Sequence, residues 1–207
     1  MARYTAPRCR LCRRLGDKLY LKGEKCYTNC VFDKRPFPPG QRSTRRRKVS
    51  DRGLQWREKQ KARAVYGILE RQFRKYYEEA VTRHGVTGEN LLHTLELRLD
   101  NVAFRLGFGD SRQQARQVAK HGLLTVNGRK ASVPSHVLKV GDVVGWTNRG
   151  VNSEYYKVVS ENIASKNIPA WLSLDAAAMT GRVLQQPEME EIGAKFNTAT
   201  IVEYYSR

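Results

Sequence analysis

Twenty lysines and arginines against five aspartates and glutamates fall within residues 1–63, a net charge of +15 out of +18 for the whole 207-residue chain. Like charge at that density opposes collapse, so this segment needs outside counter-charge before it holds a compact shape. Arg45, Arg46, Arg47 and Lys48 stand together with no acid nearer than Asp51. Residues 98–158 form a second basic region of net +6, separated and followed by nearly neutral stretches. Fields of that sign and extent attract nucleic acid. A membrane surface is the competing polyanion, but it requires an amphipathic face with clustered large apolar residues. The segment FDKRPFPPGQRSTRRRK is too rich in proline and glycine for such a helix. No apolar run approaches the roughly 18 residues of a membrane span, so no membrane partner is expected.

Cys9, Cys12, Cys26 and Cys30 lie inside this basic segment with the spacing C-x2-C-x13-C-x3-C. Two short thiolate pairs separated by a loop long enough to fold back match a closed tetrahedral metal site. A disulfide framework requires an oxidising compartment, and the opening MARYTAPRCRLCRR carries charge where a signal peptide carries an apolar core. The expectation is a cytoplasmic, reduced chain with structural Zn2+ on the four cysteines, an iron–sulfur cluster on the same thiolates being the alternative and bystander cysteines the bland one. Arg8, Arg10, Arg13 and Lys25 would offset the charge of four thiolates.

Beyond the cysteines, local signals mark the elements. Arg35-Pro36-Phe37-Pro38-Pro39-Gly40 reads as extended chain ending in a turn. Ser50 or Asp51 is placed to cap a helix that Gly67 interrupts, and a second helix runs to a stop near His84-Gly85. Thr87 to Leu99 restarts a helix. Ser111 is an N-cap candidate for a short helix ending at Gly122, and Asn127-Gly128 is the strongest hairpin signal in the chain. Val137 to Val144 reads as further strand. Arg112, Arg116 and Lys120, at i, i+4 and i+8, predict a row of cations able to track a phosphate backbone. Arg57 and Lys61, then Arg71, Arg74 and Lys75, recur at helical spacing and predict a second face that meets phosphate while another packs. The aromatic residues at 66–77, 155–156 and 204–205 are expected in cores. Phe196 to Tyr205 is expected to return onto the first helical region.

RLDNVAFRLGFGDSRQQARQVAKHGLLTVNGRKASVPSHVLKVGDVV resembles the RNA-binding domain named after small-subunit ribosomal protein S-four. RPFPPGQ, SDRGLQWREKQKARAVYGILERQF, TGENLLHTLE and MTGRVLQQPEMEEIGAKFNTATIVEYYSR extend the likeness to the bacterial S-four family over the whole chain. Its cysteine extension resembles the metal-binding subset of that family, with one residue fewer between Cys26 and Cys30. The resemblance implies an α+β protein in three parts. These are a metal-pinned extension (1–44), a mainly helical body (45–96, completed by 179–207) and a helix-helix-hairpin RNA-binding module (97–178).

By the same resemblance the chain is a primary binder of small-subunit rRNA, a nucleator of 5′-domain assembly and a neighbour of ribosomal protein S-five and the messenger path. It also implies effects on translational accuracy and, in some bacteria, repression of its own operon. Arg3, Arg8, Arg10, Arg13, Arg14, Lys22, Arg35, Arg42, Arg45, Arg46, Arg47, Lys48, Arg57, Lys61, Arg71 and Arg74 are the candidate RNA contacts of the first basic region. Arg98, Arg105, Ser111, Arg112, Gln113, Arg116, Lys120, His121, Asn127 and Arg129 are those of the second. Specificity would rest on shape, because A-form grooves hide base edges. Pseudouridine synthases share the module and use an aspartate in an Arg-Leu-Asp sequence. Here Arg98-Leu99-Asp100 is followed by Asn101-Val102-Ala103-Phe104 and no catalytic domain has room, so no enzyme and no small-molecule substrate is expected. GFGDSR lacks the lysine of a phosphate-binding loop. A zinc-dependent DNA-binding regulator, the third class, would need finger or helix-turn-helix patterns that the chain lacks.

Overall fold

The computed structural model describes residues 3–41 and 48–206 and divides the chain into two compact units, 1–92 with 194–207, and 93–193. Helices α1 (Cys9–Leu15), α2 (Lys25–Thr28) and α3 (Val31–Lys34) open the first unit. The extension is therefore more than a loop. Leu15, Leu19 and Leu21 join Cys12 in a small buried cluster against which Ala64 and Val65 pack. Apolar contact thus offsets part of the ordering entropy of the basic segment.

Helix α4 (Asp51–Tyr66) starts where the sequence places it, with Ser50 Oγ accepting from the Gly53 N–H at 3.2 Å. It ends at Gly67, whose φ of 64° is left-handed and suits glycine. Helices α5 (Glu70–Thr82) and α6 (Thr87–Glu96) follow, and Phe73, Tyr76 and Ala80 supply the buried stripe of α5.

In the second unit, α7 (Leu99–Arg105) and α8 (Arg112–Lys120) pack on a sheet of β1 (Leu124–Val126), β2 (Arg129–Ala131) and β3 (Val143–Trp146). Short α9 (Asn148–Val151) and α10 (Glu154–Asn162) come next. Strands β4 (Leu172–Asp175) and β5 (Thr180–Val183) complete an antiparallel sheet of order β2-β1-β3-β5-β4, and α11 (Met189–Ile192) ends the unit. Trp171, Leu124, Leu106 and Phe108 are fully buried in its core. Asn127 and Gly128 both have positive φ, 50° and 76°, as a tight hairpin between right-twisted strands requires.

Two sequence expectations change. Val137 to Val140 is not strand. Among the described residues it forms a single bridge, Val137 with Arg98, and the Asp142 carboxylate accepts the Lys139 N–H at 2.7 Å to turn the chain before β3. The boundary expected at 178 moves to 193, because β5 pairs with both β3 and β4 and cannot belong to the tail.

Helix α12 (Thr198–Tyr205) packs on α4 in the first unit, as the sequence reading expected of the tail. Tyr205 stacks on Tyr77 with centroids 4.6 Å apart, and Phe196 meets Tyr66 edge-on. Lys59, almost fully buried on α4, is neutralised by Glu70 at 3.0 Å and lies over the ring of Tyr204. Among the described residues, no helix is long and apolar enough to cross a membrane.

Candidate nucleic-acid interface

The second unit is built around buried charge. Glu96, with no exposed surface, accepts from Arg105 Nε and Nη2, both at 3.0 Å, and from the Asn101 amide at 2.7 Å. Arg112 reaches the same carboxylate at 3.7 Å, donates to Asn101 Oδ1 at 2.7 Å and lies over the Phe104 ring. Asp100, on the first turn of α7, accepts a bidentate pair from Arg98 at 3.0 and 2.7 Å and a third bond from Arg116 at 2.6 Å. Forked pairing of this kind fixes guanidinium planes. Four guanidiniums share two carboxylates, so a largely desolvated cluster retains an excess of positive charge beneath the surface.

This placement divides the nominated residues. Arg98 is 1% exposed, an internal strut and not an open phosphate contact. Arg105, Arg112 and Arg116 are half-buried members of the same network, so the expected row on α8 is not an open rail. Only Lys120 of that row is exposed. Ser111 Oγ is committed to the Gln114 N–H, and Gln113 is half-buried.

Exposed charge gathers instead at the C-terminal end of α8 and on the hairpin. Lys120 and His121 sit where the helix dipole favours cations. Gly122 is overlain by Lys130, since a Cβ at Gly122 would lie 2.5 Å from Lys130 Cε. The turn beside Arg129 is rigid: Asn127 donates to Asp142 at 2.8 Å and accepts from the Val143 N–H at 2.9 Å. Burial pushes the Asp142 carboxyl up, but the Lys139 N–H, the Asn127 amide and nearby His136 and Lys139 outweigh it and hold it below the usual range.

In the first unit, Arg3, Arg10, Arg14, Lys22, Arg35, Lys48, Arg57 and Arg71 are exposed. Arg74 is exposed but paired with Glu78 at 3.0 Å. Lys61 is claimed by Glu58 and Asp17. Arg13 donates to the Phe37 and Pro38 carbonyls and so ties the proline-rich segment to α1. Arg8 is buried. Arg42, Arg45, Arg46 and Arg47 lie outside the described residues.

The four cysteines are free thiols, with Cys12 and Cys26 buried. The Lys22 N–H points at Cys26 Sγ from 3.3 Å, and the Leu19 N–H at the Cys12 thiol. Burial pushes the Cys12 thiol up, the Leu19 N–H opposes this, and Cys26, Cys9 and Cys30 raise it further. Donor chemistry and N–H support suit a thiolate-bound ion. The sulfurs are not closed into a shell: among the described residues no group of three or more His, Cys, Asp or Glu is placed to hold a metal ion.

Sequence reasoning missed Glu96, Asp100 and Lys130. For Asp100 the only signal was acid within an otherwise basic segment, for Glu96, in the nearly neutral stretch before it, there was none, and for Lys130 it was the place beside the Asn-Gly turn.

Comparison with known proteins agrees with this architecture. Residues 3–96 match the ribosomal protein S4/S9 N-terminal domain and residues 97–144 the S4 domain. The small ribosomal subunit protein uS4 of Heliobacterium modesticaldum is 53% identical over 208 aligned positions, covering all of both chains. Those of Dehalococcoides mccartyi and Clostridium botulinum, the latter named uS4A, are 51% and 52% identical, again over both whole chains. The chain therefore belongs to the ribosomal protein uS4 family.

Proposed function

We infer that the chain is a structural, non-enzymatic constituent of the small subunit of the cytoplasmic ribosome, where it binds rRNA and other small-subunit proteins. The observation that carries this reading is identity above 50% across the full length of uS4 proteins. The placement of charge adds the mechanism. Exposed cations at the end of α8 and on the hairpin neutralise phosphates, while the buried network fixes α8 against α7. A rigid array of fixed cations selects an RNA junction by geometry. Asp100, engaged by two arginines, is structural.

The finer roles follow the family likeness: early binding that nucleates the 5′ domain, contact with ribosomal protein S-five near the messenger path, an influence on accuracy and repression of the chain's own operon. We propose further that Cys9, Cys12, Cys26 and Cys30 hold Zn2+. The electrostatic reach of Cys9, Cys26 and Cys30 to Cys12 and the N–H donors on Cys12 and Cys26 support this. The ion would add a second restraint on a basic extension already packed through Leu15, Leu19 and Leu21.

Competition between a folded small-subunit rRNA fragment and duplex DNA tests the main reading. Strong preference for the rRNA at physiological salt is expected; equal affinities would overturn it. Metal content and visible absorption of anaerobically purified protein test the cysteine reading. About one zinc per chain without visible absorption is expected. Visible absorption with bound iron would assign the cluster instead, and metal-free protein would remove the site.

A further inference from the structure

A cavity of about 190 Å³ in the first unit is lined by Tyr4, Arg8, Arg14, Trp56, Gln60 and Arg63 over an aliphatic floor. Among the described residues no aspartate or glutamate lines it. Arg63 is fixed as part of its wall, donating from Nη1 to Gln60 at 2.9 Å and pairing with Glu70 at 3.0 Å. Arg14 is exposed. Arg8 differs from both. The residue is only 9% exposed, its guanidinium lies 5.0 Å from the Tyr4 ring centroid and it donates to the Tyr4 carbonyl.

Burial pushes the Arg8 guanidinium down, Arg3 adds to this and Tyr4 opposes it; among the described residues no carboxylate pairs with Arg8. A buried cation without counter-charge is unfavourable until an anion reaches it. Trp56, 42% exposed, adds a large indole to the same cavity. Aromatic and aliphatic lining suits a flat apolar ring; uncompensated arginine suits a phosphate. A free inorganic anion uses only the second feature and an apolar peptide only the first.

We propose that this cavity receives one unpaired nucleotide splayed out of the bound RNA, its base against Trp56 and the aliphatic floor and its phosphate on Arg8 and Arg14. The proposal rests on the RNA-binding reading above and adds a base-accepting site to an interface otherwise made of phosphate contacts. The nucleotide comes from a bulge, loop or junction, because such a base is already unstacked and costs least to extrude.

The test uses full-length protein and a folded small-subunit rRNA fragment carrying 4-thiouridine. Trp56→Ala should weaken binding by about 5- to 150-fold, the range for loss of one stacked base. The salt slope should stay unchanged, since no phosphate contact is removed. Trp56→Phe should restore most of the affinity. Arg14→Ala should instead lower the salt slope by about 1. Crosslinking to unmodified protein, which needs no variant to fold, should place a nucleotide on the Tyr4–Leu15 or Leu54–Leu69 peptide. The inference is overturned if Trp56→Ala binds within twofold of the parent, or if neither peptide crosslinks while the parent binds the fragment tightly; the RNA-binding reading survives both results. Failure of the parent to prefer the fragment overturns the wider reading as well.

Discussion

Replacing Glu96 by glutamine removes one charge from the centre of the buried network and almost no volume, so it isolates electrostatics from packing. Glu96 has no exposed surface and anchors Arg105 through two bonds of 3.0 Å, Asn101 through one of 2.7 Å and Arg112 at 3.7 Å. Removing one partner of a buried ion pair costs about 3–5 kcal/mol. The Arg105 and Arg112 side chains are 19% and 20% exposed, and each keeps a second acceptor, the Ile192 carbonyl and Asn101 Oδ1. Water and those acceptors reduce the penalty to about 2–3 kcal/mol. For a unit of this size, residues 93–193, that lowers the melting temperature by about 10–15 °C. Trp146 and Trp171 both belong to this unit. Their fluorescence in a Trp56→Phe background reports its unfolding in urea. A change below about 0.5 kcal/mol would refute the reasoning, because it would place Glu96 in ordinary surface pairing.

Three further outcomes follow from local geometry. Gly109→Ala puts a Cβ 2.7 Å from the Ala115 backbone nitrogen, where no side chain can yield. It should cost about 2–3 kcal/mol in thermal or urea unfolding, and a neutral result would contradict the close approach of that chain segment to α8. Ser111→Ala removes the α8 N-cap and should cost about 1 kcal/mol, with local hydrogen exchange fastest in the first turn of the helix. Burial pushes the Glu70 carboxyl up, but Tyr205, Lys59 and Arg63 outweigh it and hold it below its usual 4.5. Its contribution is complete above that pH and is lost as pH falls through the folded-state value. The carboxylate is 43% exposed, which screens the effect to about 0.5–1 kcal/mol. Glu70→Gln should flatten acid denaturation of the first unit below pH 4.5, and an unchanged acid limb would exclude that linkage.

Where a single residue decides local structure, the sequence was easily read. Ser50 and Ser111 cap helices, Gly67 and Gly122 turn the chain with positive φ, and Asn127-Gly128 closes the hairpin. These signals act within about one helical turn or hairpin loop. Partners distant in sequence were harder to read. Strand β5 joins β3 across the α9 and α10 insertion, and nothing in TGRV announces it. The polar–apolar pattern of Val137 to Val144 suits a strand, yet the Asp142 carboxylate turns the chain first. Charge pattern alone likewise cannot separate an arginine facing RNA from one facing Glu96 or Asp100. Arg105 lies 9 residues from Glu96 and Arg116 lies 16 from Asp100, so only tertiary packing assigns them. The recognition surface we propose consequently lies at the helix end and hairpin, where the cations are exposed, and not along the predicted row on α8, whose arginines pair internally.

That division of labour between exposed and buried cations has a direct thermodynamic signature in the salt dependence of rRNA binding. Each phosphate contact contributes about 0.7–0.9 to the slope of log K against log salt. A Lys120→Ala/Lys130→Ala pair should therefore lower the slope by about 1.4–1.8, whereas Asp100→Asn should destabilise the second unit and leave the slope of the folded protein unchanged. Full retention of the parent slope in the lysine pair, or its loss in Asp100→Asn below the melting transition, would contradict the account.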